Sequence, residues 1–179
     1  AKSRAKSSRG PAAGPRRLAA SMRGTEGASQ MPTHGETRFM PYTARQMYDL
    51  VADVLHYPDF IPWIAASRIR SVVPHADGTQ KMEADLVVSF KVFREKFGSR
   101  VLLDEPNHRL DIEYLDGPFK HMRSSWDFVD VEGGCEVTFH VDFEFRNAVL
   151  QKVIGVVFHE AMQRIVRAFE ERAKALYVS

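Results

Sequence analysis

Cysteine is nearly absent: Cys135 is the only one among 179 residues, so the chain cannot form a disulfide within itself. That excludes the disulfide-stapled class of small secreted domains and favours a reducing compartment. Cys135 falls in an alternating strand pattern, where a small core residue is expected rather than a nucleophile. Long apolar runs are also missing. None approaches the roughly 18 to 20 residues of a spanning helix, which limits any membrane contact to the periphery. There is no glycine-rich phosphate loop and no Gly-x-Ser-x-Gly elbow. The histidines (His34, His56, His75, His108, His121, His140 and His159) show no metal-ligand spacing. His159-Glu160 opens like a zinc-protease helix motif, but Gln163 stands where the second ligand is needed. His140 alternates onto a polar strand face, where a surface position is expected, and His121, just after the Gly117-Pro118-Phe119 corner, is either a surface residue or one that reaches the mouth of a cavity.

Acid is scarce in one place. Residues 1–30 hold seven Lys or Arg and a single acid, Glu26, whereas residues 31–179 hold four more acids than bases. The small positive total therefore belongs to the first segment, and overall charge does not argue for a nucleic-acid-binding domain. No DNA partner is expected. Residues 1–30 are Ala, Ser, Gly, Arg and Pro with almost no large apolar side chain, a composition that predicts a disordered basic tail. Three readings of that tail stay open. It is an organelle-targeting presequence, though Gly10-Pro11 and Gly14-Pro15 would interrupt its helix. It is a basic arm for RNA or anionic lipid. Or it is not native, because Met31-Pro32-Thr33 reads as the beginning of the domain.

What the chain does have is alternation. With 44% apolar and 27% charged residues it has the make-up of a globular domain, assigned to residues 31–179. Thr37–Met40 is a short strand candidate, and Thr43 is a plausible N-cap for a helix carrying Met47, Leu50, Val51 and Val54 at helical spacing. Residues 56–64 are dense in aromatic and apolar side chains, and two prolines limit them to short helical turns. They read as a lid or rim. Residues 66–74 and the Asp77-Gly78 turn lead into strict alternation: Met82, Ala84, Leu86, Val88, Phe90 and Val92 on one face, with Val87 as the exception. The pattern recurs at Phe97–Leu103, Leu110–Tyr114, Met122–Phe128 and Cys135–Phe145. An Asp116-Gly117-Pro118-Phe119 corner feeds Trp126 and Phe128 onto one face. Each strand is apolar on one side only, as in an antiparallel sheet with one solvated face.

Residues 148–176 predict one long helix with Val149, Val153, Val157, Met162, Ile165, Val166, Phe169, Ala173 and Leu176 as its apolar stripe, widened by Leu150, Ile154 and Phe158. Gly155 interrupts it, either to let a bend or a ligand in or to pack tightly on a neighbour. The order of elements specifies an α+β fold: a curved antiparallel sheet wrapped around a long C-terminal helix, with an apolar cavity between them.

The arrangement resembles the START-like, helix-grip superfamily, which includes polyketide cyclases. Within it the chain is similar to the coenzyme Q-binding and ribosome-association-toxin family of small bacterial and mitochondrial proteins. Five stretches carry the likeness: Tyr48–Val54, Tyr57–Trp63, Phe90–Ser99, Gly117–Lys120 with Trp126, and Val141–Phe145. It covers about residues 31–177, and residues 1–30 have no counterpart in it. The resemblance implies a non-catalytic protein that binds ubiquinone or a similar polyprenyl lipid and supports respiratory electron transport as a carrier or chaperone. Its location would be the bacterial cytoplasm, peripheral to the inner membrane, or the matrix side of the mitochondrial inner membrane in a eukaryote. The same family implies an alternative, a toxin that binds the large ribosomal subunit and blocks subunit joining.

For the lipid reading, the expected cavity lining is Trp63, Phe90, Tyr114, Phe119, Trp126, Phe139, Phe143 and Val157, with Tyr114 and Trp126 as donors to a quinone head near the mouth. The bland reading of each is a core side chain. Phe60, Ile61 and Trp63 form a loop that either inserts into a membrane interface or closes as a lid. For the ribosome reading, Arg68, Arg70, Lys91, Arg94, Lys96 and Arg100 would make a patch, diluted by Glu83, Asp85 and Glu95. Cyclase chemistry would need polar acid/base groups inside the pocket, and the inward positions are apolar almost throughout. No enzyme, metal or catalytic cofactor is expected.

Overall fold

The computed structural model describes residues 33–90 and 93–177. The basic tail at 1–30, together with Lys91 and Val92, lies outside the described residues. Seven strands, β1 (Thr33–Met40), β2 (Ile64–Pro74), β3 (Thr79–Phe90), β4 (Phe93–Asp104), β5 (Arg109–Asp116), β6 (Phe119–Val131) and β7 (Gly134–Phe145), form one antiparallel sheet in the order β1-β7-β6-β5-β4-β3-β2. Successive strands from β2 to β7 are simple neighbours, and β1 closes onto β7. Helices α1 (Ala44–Ala52) and α2 (Tyr57–Phe60) fill the connection from β1 to β2, and α3 (Ala148–Leu176) ends the domain.

The local chemistry accounts for these boundaries. Thr43 caps α1 in a reciprocal box: its hydroxyl accepts from the Gln46 N–H at 3.1 Å, and the Gln46 side chain accepts from the Thr43 N–H at 3.0 Å. Asn147 caps α3, accepting from the N–H groups of Val149 and Leu150. The strand alternation translates into burial. In β7 the inner residues Cys135, Val137, Phe139, Val141, Phe143 and Phe145 are all buried.

Helix α3, about 44 Å long at 1.5 Å per residue, makes its closest approaches to β7, β1, α1 and α2. Its anchors are aromatic: Phe158 against Phe143 at 4.9 Å between ring centroids, and Phe169 against Trp126 at 5.2 Å. Expectation and structure differ along its stripe. Val149, Val153 and Leu176 are exposed, and so is Val156 at 86%. The face turned to the sheet is carried by Leu150, Ile154, Val157, Phe158, Met162, Ile165, Val166, Phe169 and Ala173. The first half of α3 is apolar nearly all round, so periodicity alone could not say which side faces in.

Gly155 has open space where a Cβ would point, so it neither packs tightly nor makes room for a neighbour. Gly134 is the opposite case. A side chain there would collide with the Met40 carbonyl, where β7 meets the start of the α1 connection. Gly155→Ala should therefore stabilise the fold by about 1 kcal/mol, while Gly134→Ala should destabilise it, both read from denaturant midpoints.

The convex face is held by ions. Arg70 on β2 donates to Asp85 on β3 at 2.5 Å and reaches on to Asp116 at 3.0 Å, passing over Gly98, where a Cβ would stand 2.5 Å from its Nη2. Arg68 adds a third bond to Asp85 at 3.2 Å. Asp85 was expected on the wet face, and it is there but covered by these two guanidinium groups. Hydrogen bonding from Arg70 holds its carboxyl below the usual carboxylate range. A depressed folded-state pKa gives stability above the unfolded value that is lost as pH falls through the folded one. Asp85→Asn should therefore lower the melting temperature at neutral pH, with the gap to the parent closing only in strong acid.

Candidate functional site: an apolar cavity under the C-terminal helix

A cavity of about 300 Å³ lies between the concave floor of the sheet and α3. Leu86, Val88 and Phe90 of β3, Phe97 and Val101 of β4, Leu110 and Ile112 of β5, and Met122 and Trp126 of β6 contribute to the floor and near wall. Phe139, Val141, Phe143 and Phe145 of β7 continue it, and Ile154, Val157, Phe158, Met162, Ile165 and Phe169 of α3 form the roof. Polar groups are few. Glu95 is exposed at the rim, Ser99 and Ser124 lie on the floor, and the Tyr57 hydroxyl is already donated to the Val51 carbonyl.

Of the side chains expected in the lining, Trp63, Phe90, Phe119, Trp126, Phe139, Phe143 and Val157 are found there. Tyr114 is not. It sits on the inner side of β5, but its ring packs on Phe119 at 5.4 Å and its hydroxyl accepts from the Phe119 N–H at 3.3 Å, across the β5–β6 corner. Phe119 is the hub of that corner, with the rings of Phe97, Tyr114, Phe143 and Phe145 all within 4.7–5.7 Å. Trp126 is in the lining, tilted over Phe139 at 4.3 Å. Sequence reasoning passed over the two serines, which register only as small breaks in an apolar alternation.

The loop after α2 packs down rather than outward. Ile61 is buried and lines the cavity, and Phe60 lies edge-on to Phe169 at 5.4 Å with the Arg172 guanidinium 5.1 Å from its ring. Trp63 has φ +71°, a conformation costly for a bulky residue. Its carbonyl accepts from the Ser89 N–H at 2.7 Å and its ring stands T-shaped to Phe90 at 5.1 Å, so tertiary contacts hold the strained corner at the cavity's edge.

Catalytic groups do not converge on the hollow. No histidine is in the lining, and no three His, Cys, Asp or Glu side chains among the described residues are grouped to hold a metal. His121 is on the outer face, its Nε2 3.0 Å from Asp142, and His159 contacts Gln163 at 3.1 Å. Three of the six cations expected in the basic patch are paired within the sheet, Arg68 and Arg70 with Asp85 and Arg100 with Glu83, while Arg94 and Lys96 are exposed and Lys91 lies outside the described residues. Cys135 is fully buried, and burial followed by the Asp130 charge pushes its thiol up to about 11. It should resist alkylation by iodoacetamide at neutral pH in the native state and react once the protein is unfolded; rapid native labelling would contradict this packing.

A curved antiparallel sheet gripping one helix, with an apolar hollow between them, defines a helix-grip domain. The chain belongs to the family described as polyketide cyclase / dehydrase and lipid transport, whose model matches residues 40–170. Its relatives include the ribosome association toxin RatA of Rickettsia prowazekii, 36% identical over 77% of this chain and 93% of that protein. The RatA of Escherichia coli K12 is 37% identical over 82% and 90%. A mitochondrial coenzyme Q-binding protein, COQ10 homolog B of Xenopus laevis, is 31% identical over 80% of this chain and 59% of its own length. Among solved structures, an 18 kDa protein of Caulobacter crescentus superposes with a TM-score of 0.71 at 32% identity, covering 83% of this chain and all of that one. The Zhui aromatase/cyclase from Streptomyces shares the fold (TM-score 0.68, 83% of this chain and 97% of that one) at 19% identity.

Proposed function

We propose that this domain binds a polyprenyl quinone, ubiquinone or a close relative, in the cavity under α3 and supports its use in respiratory electron transport as a non-catalytic carrier. The observation that carries the reading is the lining: some thirty residues with almost no polar atom exposed to the hollow. An isoprenoid chain offers only CH groups, and at about 0.8 kcal/mol per buried CH₂ each unit held inside the cavity would contribute on the order of 3 kcal/mol before ordering costs. The coenzyme Q-binding relative supports the choice of ligand. A cyclase would need acids and bases inside, and the one carboxylate is at the rim.

A quinone is collected from a bilayer, so the carrier touches a membrane at its periphery. The packed loop at Phe60, Ile61 and Trp63 suits a lid that moves aside. The exposed Val149, Val153 and Val156, on the side of α3 that does not line the cavity, suit the interface itself.

Val141→Phe adds a ring to the cavity floor without adding charge. It should abolish transfer of ubiquinone from liposomes, measured by sedimentation and chromatography, while shifting the melting temperature by only a few degrees. Undiminished transfer by that variant would remove the cavity from the account.

A second reading is favoured by the names and identities of the toxin relatives: the domain binds the large ribosomal subunit and blocks subunit joining. Co-sedimentation with ribosomal subunits by both the parent and the cavity-filled variant would favour that reading, because ribosome contact would then be independent of the hollow.

A further inference from the structure

Two hydroxyls in the cavity lack a protein partner. Ser99 on β4 is 4% exposed and Ser124 on β6 is 8% exposed, both belong to the lining, and neither side chain has a hydrogen bond to protein among the described residues. Neither oxygen is among the fully enclosed unpaired polar atoms, so both open onto the hollow, where water or a ligand can pair them. Ser124 stands opposite Ile112 and Val141, which are apolar, and Ser99 stands opposite Ala84 and Tyr114, whose ring and hydroxyl are turned to Phe119.

Register fixes their separation. Ser124 stands opposite Ile112 on β5, and Ile112 opposite Val101 on β4, so Ser99 is two strands away and two residues along. Strand spacings of about 4.8 Å and a rise of about 3.4 Å per residue put the two Cα atoms about 12 Å apart, a distance the concave curvature shortens at the side chains. A para-quinone ring, with C=O bonds of about 1.2 Å at opposite ends, measures about 5 Å from oxygen to oxygen. A hydrogen bond of about 2.8 Å at each end extends that to about 11 Å.

We infer that Ser99 and Ser124 are the polar handle of the cavity, donating one hydrogen bond to each carbonyl oxygen of a para-quinone head that lies across β5 on the sheet floor. This rests on the quinone reading and adds an orientation to it: the head goes in first, over the central strands. A cavity of about 300 Å³ is at the small end of ligand sites. It takes the head and the beginning of the tail, and the remaining isoprene units leave through the mouth past Trp63 and α3. This places the donors on the floor and on serines, in place of Tyr114 and Trp126 near the mouth.

The test uses the full chain, decylubiquinone and, as a probe without carbonyls, decylbenzene, with binding read from quenching or shift of tryptophan emission. Ser99→Ala and Ser124→Ala should each weaken decylubiquinone about five-fold, the worth of one neutral hydrogen bond, and together about twenty-five-fold. Decylbenzene binding should stay within two-fold. Because each change removes an unpaired hydroxyl, the ligand-free melting temperature should hold or rise, which a structural role would reverse. Equal weakening of both probes, or no weakening of decylubiquinone, overturns the serine assignment and leaves the quinone reading standing. A parent protein that takes decylbenzene but no quinone overturns both.

Discussion

The dependence of the whole site on partial coverage begins with α3, which rests toward the β1 and β7 side of the sheet and on α1 and α2, anchored by Phe158 on Phe143 and Phe169 on Trp126. A single helix about 10–12 Å across cannot cover the concave face of seven strands spaced about 4.8 Å apart. The inner residues of β3, β4 and β5 are therefore turned toward a space that no backbone element fills. Strands β3 to β7 continue a largely apolar alternation into that space, so the hollow is lined as a core would be lined but is not packed as one. The ion clasp of Arg68, Arg70, Asp85 and Asp116 lies on the opposite, convex face and ties β2 and β3 to the end of β5 where the helix offers no support.

Much of this architecture was legible in the residues because one face of the sheet is solvated. When one side of a strand is wet, period-two alternation states directly which side chains face inward, and Leu86, Val88, Phe90, Trp126, Phe139 and Phe143 were assigned to the cavity side on that ground alone. Thr43 with Gln46, and the span 148–176, were equally plain because capping and length are local properties.

What escaped was whatever depends on a third element. Tyr114 alternates inward like its neighbours, yet Phe119 covers it, and nothing in the strand pattern encodes that corner. Val149 and Val153 read as core because the first half of α3 has no polar face to mark its exposed side. Phe60 and Ile61 resemble an insertion loop in composition, but Phe169 and Arg172 draw them down. Ser99 and Ser124 are the hardest case. In the sequence a serine within an apolar strand is an irregularity; only the assembled cavity places both hydroxyls in its lining.

A lipid carrier and a ribosome-directed toxin make opposite demands on this hollow: the first needs it filled and emptied, and the second does not need it at all. The most direct test is to purify the protein from its native host, extract it with organic solvent and identify any lipid by mass spectrometry. The account predicts a polyprenyl quinone in near-stoichiometric amount, lost when Phe143 is replaced by Asp in a variant that still folds. Protein free of lipid that also takes up no quinone from liposomes would contradict it.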